Sequence, residues 1–193
     1  MQRPEIEENM SKKIGLQPRI SPEAIVTQGK WGEVPWQFVV NTQEPSIELC
    51  TAAFCIVTYQ GKLVLVEHNS RGHEFTGGHV DPNEEISATV AREVREESRA
   101  IISKPQFFGY KKVSPKEPIP HRDDPSKYYP FPHSYVPYYF AEATELLENE
   151  AFTPDVKSVR LVDYEEALNL LQPGHNHDKI LSYLVDCGFI DVT

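Results

Sequence analysis

Three glutamates, Glu93, Glu96 and Glu97, crowd one helical segment, and at about 100° per residue two of them reach the face that ought to be apolar. Ile86, Val90 and Val94 form that apolar stripe; Glu93 and Glu97 fall at or inside its edge, and Glu96 lies on the adjoining flank. A carboxylate drawn out of water is costly unless it is paired or binds a cation, and three so close also repel one another. A divalent metal relieves both penalties. A Glu-rich stretch with interleaved arginines is also how a solvated helix face looks, held by pairs at i,i+3 and i,i+4, and Arg92, Arg95 and Arg99 could serve it. The run-up favours the metal: Gly77-Gly78 follows His73-Glu74-Phe75 and leads into Asp81-Pro82-Asn83, a loop of turn and helix-start residues.

Gly78, five residues, Glu84, seven residues, then Arg92-Glu93-Val94-Arg95-Glu96-Glu97 resembles the signature of the Nudix hydrolases. Two positions depart from it. Arg99 stands where the family has a glycine just after the acidic pair; a left-handed arginine costs on the order of 1 kcal/mol, so the helix is expected to run on through Ala100. Thr76 stands where many members carry proline. The resemblance implies an α+β Nudix fold, a mixed β-sheet sandwiched between α-helices, and the layout extends from about Trp36 to the C-terminus.

The chemistry follows from charge. Hydrolysing a phosphoanhydride brings water to a phosphorus shielded by anionic oxygens, so cations must neutralise the substrate and activate the water. Glu93, Glu96 and Glu97 would hold Mg²⁺, or Mn²⁺, and the resemblance adds the backbone carbonyl of Gly78 as a further ligand. Arg92 joins the catalytic set: the helix wheel points it away from the trio, where it would orient a box glutamate through an ion pair with help from Glu84. The general base is either a box glutamate or a carboxylate from a later segment, among Glu145, Glu148 and Glu150.

Charge, length and hydropathy narrow the remaining classes. The 193 residues and 39% hydrophobic content suit one compact domain, divided as an N-terminal extension, 1–33, packed on or flanking the core, and a Nudix domain, 34–193. A net charge of -10 without a basic block argues against binding a nucleic-acid duplex, while metal ions on the acidic helix still admit a small polyphosphate. No apolar run is long enough for a membrane span and the N-terminus lacks a secretory signal, so a cytoplasmic location is expected. Cys50, Cys55 and Cys187 show no ligand or redox spacing and read as reduced and structural. A homodimer is left open.

The coarse element reading places a helix start at Ser21-Pro22-Glu23 and a strand at Trp36 to Val40. A central hairpin, Thr51 to Tyr59 and Lys62 to His68, turns at Gln60-Gly61. After the acidic helix come strands near Pro105 to Val113, Ser134 to Ala143 and Ser158 to Val162. Helices follow near Tyr164 to Leu171 and Asp178 to Cys187, the last closed by Gly188. The segment 105–137 holds eight prolines and an aromatic cluster. It reads either as a substrate wall, with Tyr128, Tyr129, Phe131 or Tyr135 stacking on a base and Arg122 or Lys127 meeting phosphate, or as a loop pinned by its own aromatics or by a dimer contact. His68, His73 and His79 near the box lack the partners of a zinc site. His175 and His177 read as loop or cap residues, with substrate contact left open.

The box prepares a diphosphate reaction without reading what the diphosphate carries. The resemblance implies a nucleoside diphosphate linked to a further group, and the stretch Leu65 to Phe75 is similar to that of bacterial members cleaving nucleoside triphosphates. Two other classes compete. A nucleotide-binding Nudix-fold sensor without turnover would often have lost box carboxylates, which this chain keeps. An isomerase of allylic diphosphates would need a catalytic cysteine in an apolar pocket, and neither Cys50 nor Cys55 has an evident context for that.

Overall fold

A computed structural model of the chain describes residues 23–121, 124–147, 151–172 and 174–191. In chain order these form β1 (Ala24–Trp31), β2 (Val34–Val40), β3 (Ala52–Tyr59), β4 (Lys62–His68), β5 (Gly72–Glu74), β6 (Thr76–His79) and α1 (Ile86–Ser98). Then come β7 (Ala100–Ile102), β8 (Gln106–Val113), β9 (Ser134–Leu146), β10 (Val156–Val162), α2 (Tyr164–Leu170) and α3 (His177–Asp186). The sheet runs β1-β2-β8-β9-β3-β4-β10, with β5 beside β4, β6 beside β3 and β7 beside β9. Its pairings are antiparallel except β3 with β9, where Phe54 lies opposite Tyr138 in parallel register.

Alternation along the strands builds a core on each face of the sheet. On β3, Ala53, Cys55 and Val57 point to one side, where Ile86, Val90 and Val94 of α1 cover them. Ile56 points to the other, joining Phe38, Leu65 and Phe108 beneath Ile180, Leu181 and Leu184 of α3. Each such side chain, fully buried, contributes about 1.5–3 kcal/mol, so the sheet is anchored independently on both sides. This is the mixed sheet between helical layers that the sequence led one to expect, with β3 and β4 in its interior. Asp163 caps α2 by accepting a 2.9 Å hydrogen bond from the Glu166 amide, and Gly188, at φ 76, follows α3.

Two local expectations are corrected. Ser21 and Pro22 lie outside the described residues, but Glu23 has φ 56 and leads into strand β1, not a helix. The β-branched run Ile25-Val26-Thr27 favours extended backbone, and β1 pairs along its length with β2 across Gly32. Residues 24–31 of the sequence-defined extension therefore share the sheet of the core. Arg99 does not carry α1 onward: it adopts φ 59 and ψ 20, the left-handed stop that glycine would supply. The chain must reverse there because Ala100 opens β7 and the Arg99 carbonyl accepts a 2.8 Å hydrogen bond from the Leu147 amide. The Arg99 guanidinium lies 3.8 Å from the centre of the Phe152 ring, which offsets part of the strain.

Cys50, Cys55 and Cys187 are free thiols, and burial against the α1 face pushes the Cys55 thiol far up. Among the described residues, no helix is long and apolar enough to cross a membrane.

Candidate active site

Strand β6 brings its two glycines between β3 and α1. The Gly77 amide donates a 2.9 Å hydrogen bond to Glu97 Oε2. A Cβ on Gly78 would stand 2.3 Å from Glu93 Oε1, and one on Gly77 would stand 2.5 Å from the Ala53 carbonyl oxygen. The double glycine is thus a matter of contact: Gly78 leaves room for the Glu93 carboxylate, and Gly77 for the Ala53 backbone and the Phe54 ring of β3.

The three glutamates differ in setting as the helix repeat predicts. Glu97 is 5% exposed, and burial pushes its carboxyl up to about 8 despite the opposing Gly77 hydrogen bond. Burial also raises Glu93, with Arg92 working against it. Glu96 keeps 45% of its side chain in solvent. Arg92 does not point away from the trio. Its Nε and Nη2 grip Glu84 at 2.9 Å each, while Nη1 donates to Glu93 Oε1 at 2.7 Å and Glu96 Oε2 at 3.3 Å. The wheel locates only the Cβ; the long side chain folds back along the helix and its planar fork spans three carboxylates. That grip holds the Glu84 carboxyl down to about 2.

A second group stands behind Glu97. His68 Nε2 lies 3.6 Å from Glu97 Oε1, and its Nδ1 lies 3.6 Å from Asp155 Oδ2. Ligand atoms of His68, Glu97 and Asp155 all fall within 4.8 Å of one another. The Arg71 guanidinium already meets this cluster, 3.2 Å from His68 Nδ1, 3.5 Å from Glu74 and 3.8 Å from Asp155. Burial first, and then Arg71, lower the His68 pKa and favour its neutral form. Of the other histidines near the box, His73 pairs across to Glu67, and His79 lies 3.5 Å from the Tyr129 hydroxyl.

Glu93, Glu97, Arg71 and Asp155 line a cavity of ≈ 780 Å³, whereas Glu96, Arg92 and His68 are not among its lining residues. Glu93, Glu97, Gly77 and Gly78 line one part of it; Trp31, Lys111 and Tyr138 line another. Lys111 faces Phe38 and Val136 across its neighbouring strands and is 1% exposed. Its Nζ sits 4.8 Å from the Trp36 ring centre and 5.4 Å from those of Trp31 and Tyr138. Burial lowers the Lys111 pKa to about 8, opposed by Glu74. Phe54 stacks on Tyr138 at 5.4 Å, and both His175 and His177 border the cavity.

The aromatic-loop candidates do not gather here. Tyr128 is 60% exposed, and neither it nor Tyr135 lines the cavity. Tyr135 packs edge-on against Tyr110 at 5.2 Å, by a separate groove with Asn41 and Glu44. Arg122, Glu148 and Glu150 lie outside the described residues; Glu145 pairs opposite Ile101 on β9, and Lys127 bonds Asp124 at 3.2 Å. The loop meets the box at His79, through Tyr129, whose ring is tilted 4.7 Å from that of His121, and through His121 itself, edge-on at 6.4 Å. Sequence reasoning missed Trp31, Phe54, Arg71, Lys111 and Asp155. Only Lys111 left a usable trace, because alternation from Val113 sends it to the interior face.

Residues 49–184 match the family model described as NUDIX domain. A curated relative, the putative 8-oxo-dGTP diphosphatase YtkD of Bacillus subtilis (strain 168), is 41% identical over 64 residues, which span 33% of this chain and 40% of that protein's length. The Bacillus subtilis pyrophosphohydrolase BsRppH superimposes with TM-score 0.64 at 24% identity, covering 86% of this chain and 99% of that one. The NUDIX domain of Shewanella oneidensis NrtR, solved with ADP ribose, has TM-score 0.50 at 14% identity over 71% of this chain and 86% of that one. The fold, the contiguous acidic box and the extent of the family match agree, and the chain belongs to the NUDIX domain family.

Proposed function

We propose that the protein hydrolyses the diphosphate linkage of a nucleoside diphosphate carrying a further group, foremost a nucleoside triphosphate, with Mg²⁺ as cofactor and Mn²⁺ as a substitute. The observation that carries this reading is the pair of desolvated carboxylates, Glu93 and Glu97, pressed against glycine backbone inside a cavity whose other wall is aromatic. The donor set is all oxygen, as hard divalent cations require, and burial disfavours leaving those carboxylates charged and unpaired. Glu93, Glu96, Glu97 and the Gly78 carbonyl would hold the ion. When bound, it would neutralise phosphate oxygens and make water a better nucleophile.

The chain's own groups do the positioning. Gly77 fixes one Glu97 oxygen; Arg92, steadied by Glu84, holds Glu93 and reaches Glu96. Arg71 and His68 close the polar wall behind Glu97 and limit its contact with bulk water. The relative named a diphosphatase of a nucleoside triphosphate supports the choice of substrate.

The test is product analysis after incubation with nucleoside triphosphates, nucleotide sugars and dinucleoside polyphosphates, with and without Mg²⁺. Turnover that depends on Mg²⁺ is expected, and Glu97→Gln lowers it about 100-fold, the effect of losing a few kcal/mol of electrostatic stabilisation. Tight nucleotide binding with no turnover in any panel member would establish the sensor reading instead.

A further inference from the structure

Strand β2 turns Trp36, Phe38 and Val40 into the core beneath α3, so Gln37 and Val39 point to the opposite side of the sheet, the side of α1. Among the described residues, the core beneath α1 takes nothing from β1 or β2, and Ile25 and Val39 belong to neither core. The registers align Ile25, Val39 and Tyr110 in one row on this side and Gln28, Gln37 and Lys112 in the next. Lys30, Gln37 and Lys112 line a groove of ≈ 580 Å³ at one end, and Glu44, Leu49 and Tyr110 line one of ≈ 230 Å³ at the other. Ile25 is 56% exposed and Leu49 36%. The face is thus apolar along its middle, basic at one end and acidic at the other.

The chain itself holds a segment of matching pattern. Residues 1–22 precede Glu23, and Ile6, Met10 and Ile14 recur there at i, i+4 and i+8. Pro4 with Glu5, Glu7 and Glu8 is the composition of a helix start; Lys12, Lys13 and Gly15 are that of a helix end. A helix over 5–14 would be about 15 Å long, against about 20 Å of strand from Pro35 to Asn41. Ala24 pairs with Val40, so the chain enters β1 beside Asn41, at the Glu44 end of the face. A helix whose basic end lies there, within reach of Glu23 through residues 15–22, sets its glutamates beside Lys30 and Lys112. We propose that residues 5–14 dock as an amphipathic helix on the β1-β2-β8 face, covering Ile25 and Leu49 with Ile6, Met10 and Ile14.

Hydrogen exchange of the full chain reads the docking. Amides of residues 9–14 are expected to exchange about 10-fold or more slowly than unstructured chain, and Ile25→Asp, at an exposed position, returns them to the unstructured rate. Lys30→Glu with Lys112→Glu also removes the protection, and adding Glu5→Lys, Glu7→Lys and Glu8→Lys to that chain restores part of it. Unprotected amides in the wild type, or protection indifferent to Ile25→Asp and to the charge reversal, overturns the proposal. With Cys50→Ser and Cys187→Ser removing the partly exposed thiols, Met10→Cys and Gln37→Cys are expected to form a disulfide within one chain. A bond between chains, or no bond, overturns docking of the chain's own segment on this face.

Discussion

Replacing Lys111 by methionine should make the protein more stable at neutral pH and should flatten one stretch of its stability curve. In the unfolded chain the lysine titrates at its ordinary 10.5, and in the folded cavity at about 8. Between those values the folded form binds fewer protons than the unfolded one, so stability rises with pH. The contribution is complete above 10.5 and is lost as pH falls through 8. The gap amounts to about 3 kcal/mol, and at 1% exposure solvent screens little of it. Methionine keeps the length of the side chain, leaves no charge to desolvate and suits contact with the surrounding rings. Urea unfolding of both proteins from pH 7 to 10.5 measures the difference, and tyrosine titrations common to both cancel. The variant is expected to be more stable by about 2–3 kcal/mol at pH 7, with the gap closing towards pH 10.5. A variant less stable at pH 7, or a gap indifferent to pH, would refute the claim that burial outweighs the Glu74 charge and the surrounding rings at the wild-type ammonium.

Other outcomes follow from the same geometry. Gly78→Ala puts a methyl where the Glu93 carboxylate now lies; Glu93 must swing away, lowering kcat/KM about 10-fold or more while urea stability changes by less than about 1 kcal/mol. At position 99, where φ is 59, Arg99→Gly is expected to be about 1 kcal/mol more stable than Arg99→Ala. Both variants lose the contact with Phe152, so their comparison in thermal or urea unfolding isolates the backbone cost.

The acidic half of the site was legible because it is written contiguously. Helical periodicity alone placed Glu97 in the buried stripe with Ile86, Val90 and Val94, and the glycine pair announced a close approach. The other half is dispersed over β1, β3, β8, β9 and α3, and no local pattern joins Trp31, Phe54, Lys111, Tyr138 and His177. Alternation from Val113 turns Lys111 inward, but only the registers with β2 and β9 bring it beside the other wall residues. Asp155 follows Pro154 in a stretch without periodicity, so its approach to His68 is a tertiary fact. Arg99 failed for a different reason: propensity argued against a left-handed arginine, and the demand that β7 start at Ala100 overrode it. The tyrosine-rich loop left two readings open, since aromatic content does not say which way a ring faces, and Tyr128 is exposed.

The parallel pairing of β3 with β9 carries a kinetic consequence. Tyr138 can stack on Phe54 only after the chain has looped out the glycine turn, α1 and β8 between them, and contacts so distant in sequence are slow to form. The acidic helix, by contrast, meets its glycine turn across a short span of chain. The carboxylates thus close over a shorter stretch of chain than the aromatic wall does, and refolding is expected to order them first.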